Sequence, residues 1–189
     1  MLDTKKKKLF AALIQKNNKF LVSGHQGPDG DVLGSTLAMT LALKKLGKKA
    51  FAYNRDGCPQ NLKFLPKSDI IINEIPKNFE DGILITVDSG DLARLGSAIE
   101  NYKFKMIINV DHHKSNTLFG DYNFVDVKAG SSGQVVFELL KGFGSKFKAS
   151  KDIAQNIFCT LSTDTGSFRY SNATSEVFTL ASELVALGA

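Results

Sequence analysis

Apolar positions along the chain recur in two rhythms, one of three to four residues and one of short unbroken runs. Between residues 4 and 17, Leu9, Phe10, Leu13 and Ile14 repeat at helical spacing among lysines, which predicts an amphipathic helix. The run Phe20-Leu21-Val22 predicts a buried strand over 20–24. Helical period returns over 32–46 with Leu33, Leu37, Leu41 and Leu43, with Ala38 and Ala42 between them and Gly47 as a stop. A second strand is expected over 50–53 and a turn-rich connection with Gly57 and Pro59 over 54–61; a helical turn over 61–65 and a short strand over 70–72 come next. Two clean apolar strands are expected over 83–87 and 106–110. Ser131 or Ser132 is placed to cap a helix over 133–141, and 142–150 reads as a linker rich in Gly and Lys. Ser150 caps a further helix through Leu161, and a last helix runs from about 175 to 187.

The residues at the ends of the strands give the pattern its meaning. The strand over 20–24 runs into Gly24-His25-Gln26-Gly27-Pro28-Asp29-Gly30-Asp31, that over 83–87 into Asp88-Ser89-Gly90-Asp91, and that over 106–110 into Asp111-His112-His113. The segments between are long enough for crossover helices, so the expected fold is α/β, a mainly parallel central sheet with helices on both faces. In an open parallel sheet ligands bind beyond the carboxyl ends of the strands, so the three clusters should meet in one crevice. The helix starting at Ser150 delivers a fourth segment, Thr163-Asp164-Thr165-Gly166.

Composition narrows the partners. The 189 residues can bury one large domain or one and a fraction, and no internal repeat or low-complexity segment interrupts them. The apolar run 9–14 is ended by Gln15-Lys16-Asn17-Asn18, too soon for a signal peptide or a spanning helix; no membrane partner and a cytoplasmic location are therefore expected. Cys58 and Cys159 have neither the number nor the spacing of a disulfide framework or a thiolate zinc site. A net charge of +5 permits a polyanionic partner, although Lys5 to Lys8 equally suit the solvated face of the first helix.

Taken alone, Pro28-Asp29-Gly30-Asp31 suits a tight turn as well as a metal-ligand loop, since Asp and Gly favour both. The rest of the chain decides. All three histidines, His25, His112 and His113, lie at strand ends beside carboxylates. Asp29, Asp31, Asp88, Asp111 and Asp164 crowded into one crevice would repel one another unless a cation neutralised them. Two divalent ions about 3.5–4 Å apart would do so, and such pairs clamp the attacking and leaving oxygens of phosphoryl displacement. No Ser-His-Asp arrangement or Walker loop points to acyl transfer or kinase chemistry.

His25-x-x-Pro28-Asp29-x-Asp31-x-x-Gly34-Ser35, Val87-Asp88-Ser89-Gly90-Asp91, Asp111-His112-His113 and Thr163-Asp164-Thr165-Gly166 resemble, in order, the four motifs of the DHH phosphoesterase superfamily. Gly130-Ser131-Ser132-Gly133 and Asp164-Thr165-Gly166-Ser167-Phe168-Arg169-Tyr170 look most like its nanoRNase group, the bifunctional oligoribonucleases and pAp phosphatases. The resemblance implies that His25 and Asp29 hold one ion, that Asp31, His112 and Asp164 hold the other, and that Asp88 bridges them, with manganese preferred. It further implies that His113 faces the scissile phosphate as stabiliser or proton donor and that Asp111 orients a neighbouring histidine from behind. Arg169 is placed either to grip a substrate phosphate or simply to stand on a surface loop; Asp91 is a weaker candidate, and Thr163 and Thr165 read as turn-forming.

The function so implied is hydrolysis of short oligoribonucleotides or 3'-phosphoadenosine 5'-phosphate (pAp), with a homodimer plausible on the same resemblance. Residues 1–189 would be the DHH domain, the smaller substrate-binding domain of such proteins being absent from this chain, as a fragment or a natural truncation. Two rival expectations are a phosphodiesterase for cyclic or linear dinucleotides and a nucleotide- or metal-binding module without turnover.

Overall fold

The structure, a computed structural model, describes residues 2–189. Its elements are α1 (Thr4–Lys16), β1 (Lys19–Ser23), α2 (Gly30–Lys45), β2 (Lys49–Tyr53), β3 (Ile71–Ile72), β4 (Ile83–Val87), α3 (Ser97–Glu100), β5 (Met106–Asp111), β6 (Tyr122–Val125), α4 (Ser132–Leu140), α5 (Lys151–Asp164) and α6 (Ser175–Ala186). Six strands form one sheet in the order β3-β2-β1-β4-β5-β6, with every neighbouring pair parallel. The chain steps outward from β1 to β3 on one side and from β4 to β6 on the other. The order therefore reverses between β1 and β4, the place where an open α/β sheet opens a crevice.

Alternation along the strands assigns the two faces. Phe20, Val22, Ile83, Ile85, Val87, Ile108, Val110 and Phe124 enter the main core, which α1, α2, α4, α5 and α6 complete through residues such as Phe10, Met39, Val136, Ile157 and Leu184. Leu21, Tyr53 and Leu84 point the other way, under Phe79, Leu95 and Ile99. The long helices thus share one face, and α3 with a 3₁₀ turn over Leu92–Leu95 covers the other.

Several boundaries differ from the sequence expectation, each for a visible reason. Helix α2 begins at Gly30 because the Asp29 side chain accepts from the amides of Asp31 and Val32, an N-cap that hydrophobic periodicity does not register. Helix α5 runs on to Asp164, so the fourth motif ends a helix instead of following one. Strand β6 has no counterpart among the expected elements: four residues with no sustained period carry too little pattern. Residues 112–121 join β5 to β6 without a helix, and part of the 142–150 linker forms 3₁₀ turns over Lys141–Lys146.

Helix α2 lies close enough to α5 that glycines are required at the contact. A Cβ at Gly34 would stand 2.6 Å from Thr160 Cγ2 and 2.7 Å from the Asn156 carbonyl oxygen, and one at Gly30 would stand 2.2 Å from Thr163 Oγ1. The backbone oxygen of Asn156 has no rotamer by which to yield. Gly34→Ala is therefore expected to reduce the unfolding free energy by about 1–3 kcal/mol, typical of overpacking a tight contact, seen as a lower urea midpoint at unchanged m.

Candidate metal centre

Three segments reach the crevice directly from the sheet. The loop after β1 supplies His25, Asp29 and Asp31, the end of β4 supplies Asp88, and β5 delivers Asp111, His112 and His113. Asp88 leaves its strand in a left-handed conformation, φ 54°, unusual for a residue with a Cβ and most readily tolerated by Asp and Asn. Asp164 arrives from the opposite direction as the last residue of α5, where a carboxylate opposes the negative end of the helix dipole.

Three sets of side chains place one ligand atom each within 4.8 Å of one another: His25 with Asp29 and Asp88; Asp31 with His112 and Asp164; and Asp88 with His112 and His113. Asp88 belongs to two of them. Its Oδ2 lies 3.8 Å from His25 Nε2, while its Oδ1 lies 3.6 Å from both His112 Nε2 and His113 Nδ1. His112 Nε2 is 2.9 Å from Asp164 Oδ2 and 3.8 Å from Asp31 Oδ2.

The far side of each ring fixes its role. His112 Nδ1 sits 3.2 Å from the Ala129 carbonyl, to which it donates, and His25 Nδ1 lies 2.7 Å from the Gln26 carbonyl. Nε2 of each is thereby turned toward the carboxylates. His112 Nε2 is buried and makes no hydrogen bond, since Asp164 lies close to it but off its bonding direction. A neutral ring would turn its lone pair toward carboxylate oxygens and repel them, so this nitrogen needs either a proton or a metal cation between it and them. Imidazole and carboxylate donors suit a divalent first-row ion, so the residues present fit the metals that the sequence motifs imply.

Around these groups lies a layer of neutral donors. Asp31, fully buried, accepts from the backbone amides of Ser132 at 2.7 Å and Gly133 at 3.0 Å and from the Ser35 hydroxyl at 3.0 Å. Asp111 accepts from His113 Nδ1 at 2.8 Å and from Asn116 Nδ2 at 2.6 Å. Asn116 in turn accepts from Asn109 and from the Leu118 amide and also donates to the Ser89 carbonyl, so a network of asparagines pins the helix-free β5–β6 connection.

Charge responds accordingly. Burial, then the neighbouring Asp88 and Asp164, pushes the Asp31 carboxyl well above the usual range, and burial with Asp164 also raises Asp88. Burial also works against the Asp111 carboxylate, but the hydrogen bonds from His113 and Asn116 outweigh it and hold that carboxyl low. Burial opposes a charged His112 too, yet Asp164 and Asp88 overcome it, and the ring is pushed up to about 9. The hydrogen bond to Asp111 raises His113.

His25, Asp29, Asp31, Asp88, Asp111, His112, His113 and Asp164 all converge. Arg169 is not among them: it is exposed on the loop after α5, where its Nε donates to the Gly166 carbonyl. Asp91 caps the 3₁₀ turn after β4 through the Ala93 amide, and Thr165 ties its own loop to Leu161 and Phe168. Asn116 and the contacts of Ser132 and Gly133 lie outside the sequence expectation. Gly130-Ser131-Ser132-Gly133 reads as a helix start, and nothing local says that its amides meet Asp31.

Fold and site together define an α/β domain with a histidine–carboxylate cluster able to hold metal at the switch point of a parallel sheet. Residues 19–161 match the model of the DHH family, N-terminal domain, and the chain belongs to that family. It is 36% identical over 168 residues to the bifunctional oligoribonuclease and PAP phosphatase NrnA of Thermus thermophilus, covering 88% of this chain and 49% of that protein. Against the protein of the same description from Bacillus subtilis it is 30% identical over 165 residues, 85% of this chain and 50% of the other. The chain thus spans about half the length of these curated relatives. An exopolyphosphatase-related protein from Bacteroides fragilis superposes with a TM-score of 0.86 at 24% identity over 99% of this chain and 58% of its own, a likeness of fold.

Stability should depend on pH in opposite senses with and without metal. His112 has its folded pKa raised from 6.5 to about 9, so its contribution is full below pH 6.5 and is lost as pH rises through about 9; the raised Asp31 and Asp88 act in the same direction. In chelator, the melting temperature is expected to fall across that window. The increment on adding Mn2+ should grow across it, because protons and metal compete for the same atoms. Scanning fluorimetry over a pH series checks both slopes.

Proposed function

We propose that this chain hydrolyses phosphoester bonds of short oligoribonucleotides and of pAp, using two divalent ions, manganese by preference. The observation that carries this reading is three adjoining histidine–carboxylate sets, two sharing Asp88 and two sharing His112, in a chain similar along most of its length to bifunctional oligoribonucleases and PAP phosphatases. No helix among the described residues is long and apolar enough to cross a membrane.

His25 and Asp29 would hold one ion, Asp31, His112 and Asp164 the other, and Asp88, through its two oxygens, both. When bound, such a pair supplies Lewis acidity at the phosphoryl group and lowers the pKa of water at neutral pH. The protein's part is to fix the donors before substrate arrives. Backbone amides hold Asp31, and carbonyl partners set the tautomers of His25 and His112.

His113 has a different task. Its Nδ1 is committed to Asp111, and its side chain, 37% exposed, is the more open of the two neighbouring rings. The Asp111 hydrogen bond keeps the ring protonated to higher pH than usual, so Nε2–H is available to a phosphoryl oxygen. As water adds to phosphorus and the bond to the leaving oxygen breaks, that proton passes to the leaving oxygen, while the proton the water gives up goes to solvent, from which the ring is recharged. The rate should therefore fall when His113 loses its proton, at a pH shifted upward by Asp111.

Manganese-dependent release of phosphate from pAp, measured beside cleavage of a short RNA, tests the reading. Asp88→Ala is expected to lose both activities by at least about 100-fold, since even residues supporting metal ligands are worth about 10–100-fold. His113→Ala should lose roughly 10²–10⁴-fold in kcat while still binding Mn2+. Parental rates in Asp88→Ala would overturn the proposal.

A further inference from the structure

The first turn of α4 meets three of the acids at once. Ser132 is completely buried, and its amide, with that of Gly133, holds Asp31. Its hydroxyl donates to Asp88 Oδ1 at 2.8 Å and lies 3.4 Å from Asp111 Oδ1. The preceding Ser131 does the ordinary work of the helix start: its side chain accepts from the Gln134 amide and pairs with Thr160 Oγ1 at 3.0 Å. The turn cannot drift, because a Cβ at Gly133 would stand 2.0 Å from Thr160 Oγ1. Neighbouring serines therefore divide two tasks, one closing the helix and one facing the centre.

Asp88 has an oxygen for each side of the centre, and nothing in its own backbone decides which faces which. Oδ1 lies toward His112 and His113, Oδ2 toward His25. A serine hydroxyl carries one proton, and given to Oδ1 it fixes the rotation of the carboxylate about its last bond. The same residue's amide bonds Asp31, a member of the other set, so one rigid turn registers both sets against each other.

We propose that Ser132 is a positioning residue for the metal centre: its hydroxyl aims the Asp88 carboxylate so that both sets of ligands can be filled together. The inference rests on the reading that these sets hold divalent ions. Removing the hydroxyl leaves the Asp31 contacts intact, because they are made by backbone amides. The expected effect is about tenfold weaker binding of Mn2+, the low end of the range for groups that orient metal ligands.

Calorimetric titration of Mn2+ into chelator-stripped protein tests this, with the melting temperature of the stripped protein as a second readout. Ser132→Ala should bind about tenfold more weakly while still melting cooperatively, Ser132→Thr should bind as the parent does, and Ser131→Ala should melt lower while keeping parental affinity. Should Ser132→Ala fail to melt cooperatively, Ser132→Gly, which also keeps the amide, is read by the same two criteria. Parental affinity in the variant lacking the hydroxyl overturns the inference, as does an equal loss in Ser132→Thr or in Ser131→Ala. Absence of Mn2+ binding by the parent protein overturns the reading of the centre itself.

Discussion

Three carboxylates around the His112 imidazole, and a fourth behind the ring of His113, are the constraint to which the rest of this molecule answers. Asp31, Asp88 and Asp111 are all withdrawn from water, and Asp164 closes on His112 from the end of a helix. Charges so placed repel one another and have lost their hydration, so each needs a partner. The fold supplies what it can: amides of α4 to Asp31, a serine to Asp88, a histidine and an asparagine to Asp111. What these do not meet falls to protons on the raised groups or to a cation. Proton and metal are thus alternatives for the same oxygens, which is why burial, pH and metal affinity cannot be varied independently here.

The architecture explains how so costly a cluster is held. A sheet whose order reverses between β1 and β4 brings two loops together without either needing to be long. The left-handed turn at Asp88 then lifts its carboxylate over the sheet edge, and the glycine-lined contact of α2 with α5 brings Asp31 and Asp164 to the same nitrogen of His112. Both devices sacrifice local comfort for position: a residue with a side chain in a glycine-like conformation, and an acid at the wrong end of a helix dipole. Such exceptions are found where geometry matters more than stability.

Most of this is legible in the sequence because the ligands are local to apolar runs. His25, Asp29 and Asp31 lie directly after β1, Asp88 after β4, and Asp111-His112-His113 at the end of β5, so recognising the strands locates the site. The support around it is not legible, since it depends on residues brought together only by packing; Ser132 and Asp31 are 101 positions apart. Strand β6 is silent because Tyr122, Asn123, Phe124 and Val125 show no period, and its place is secured by the asparagines at 109, 116 and 123, whose side-chain bonds have no signature in hydropathy. Arg169 stands apart from this cluster, exposed on the loop after α5 with its Nε donating to the Gly166 carbonyl, one of the two placements its chemistry allowed.

The order in which the donors occur along the polypeptide has its own consequence. Among the donors, His25, Asp29 and Asp31 are made first, Asp88, His112 and His113 next, and Asp164 last. During vectorial synthesis the early donors therefore precede by more than a hundred residues the helix that must dock before His112 has all its neighbours. Until then any ion meets an incomplete, flexible set and is held weakly. On the reading that these donors hold metal, secure capture would wait until α5 has docked against the sheet, so that a loaded centre would report this packing.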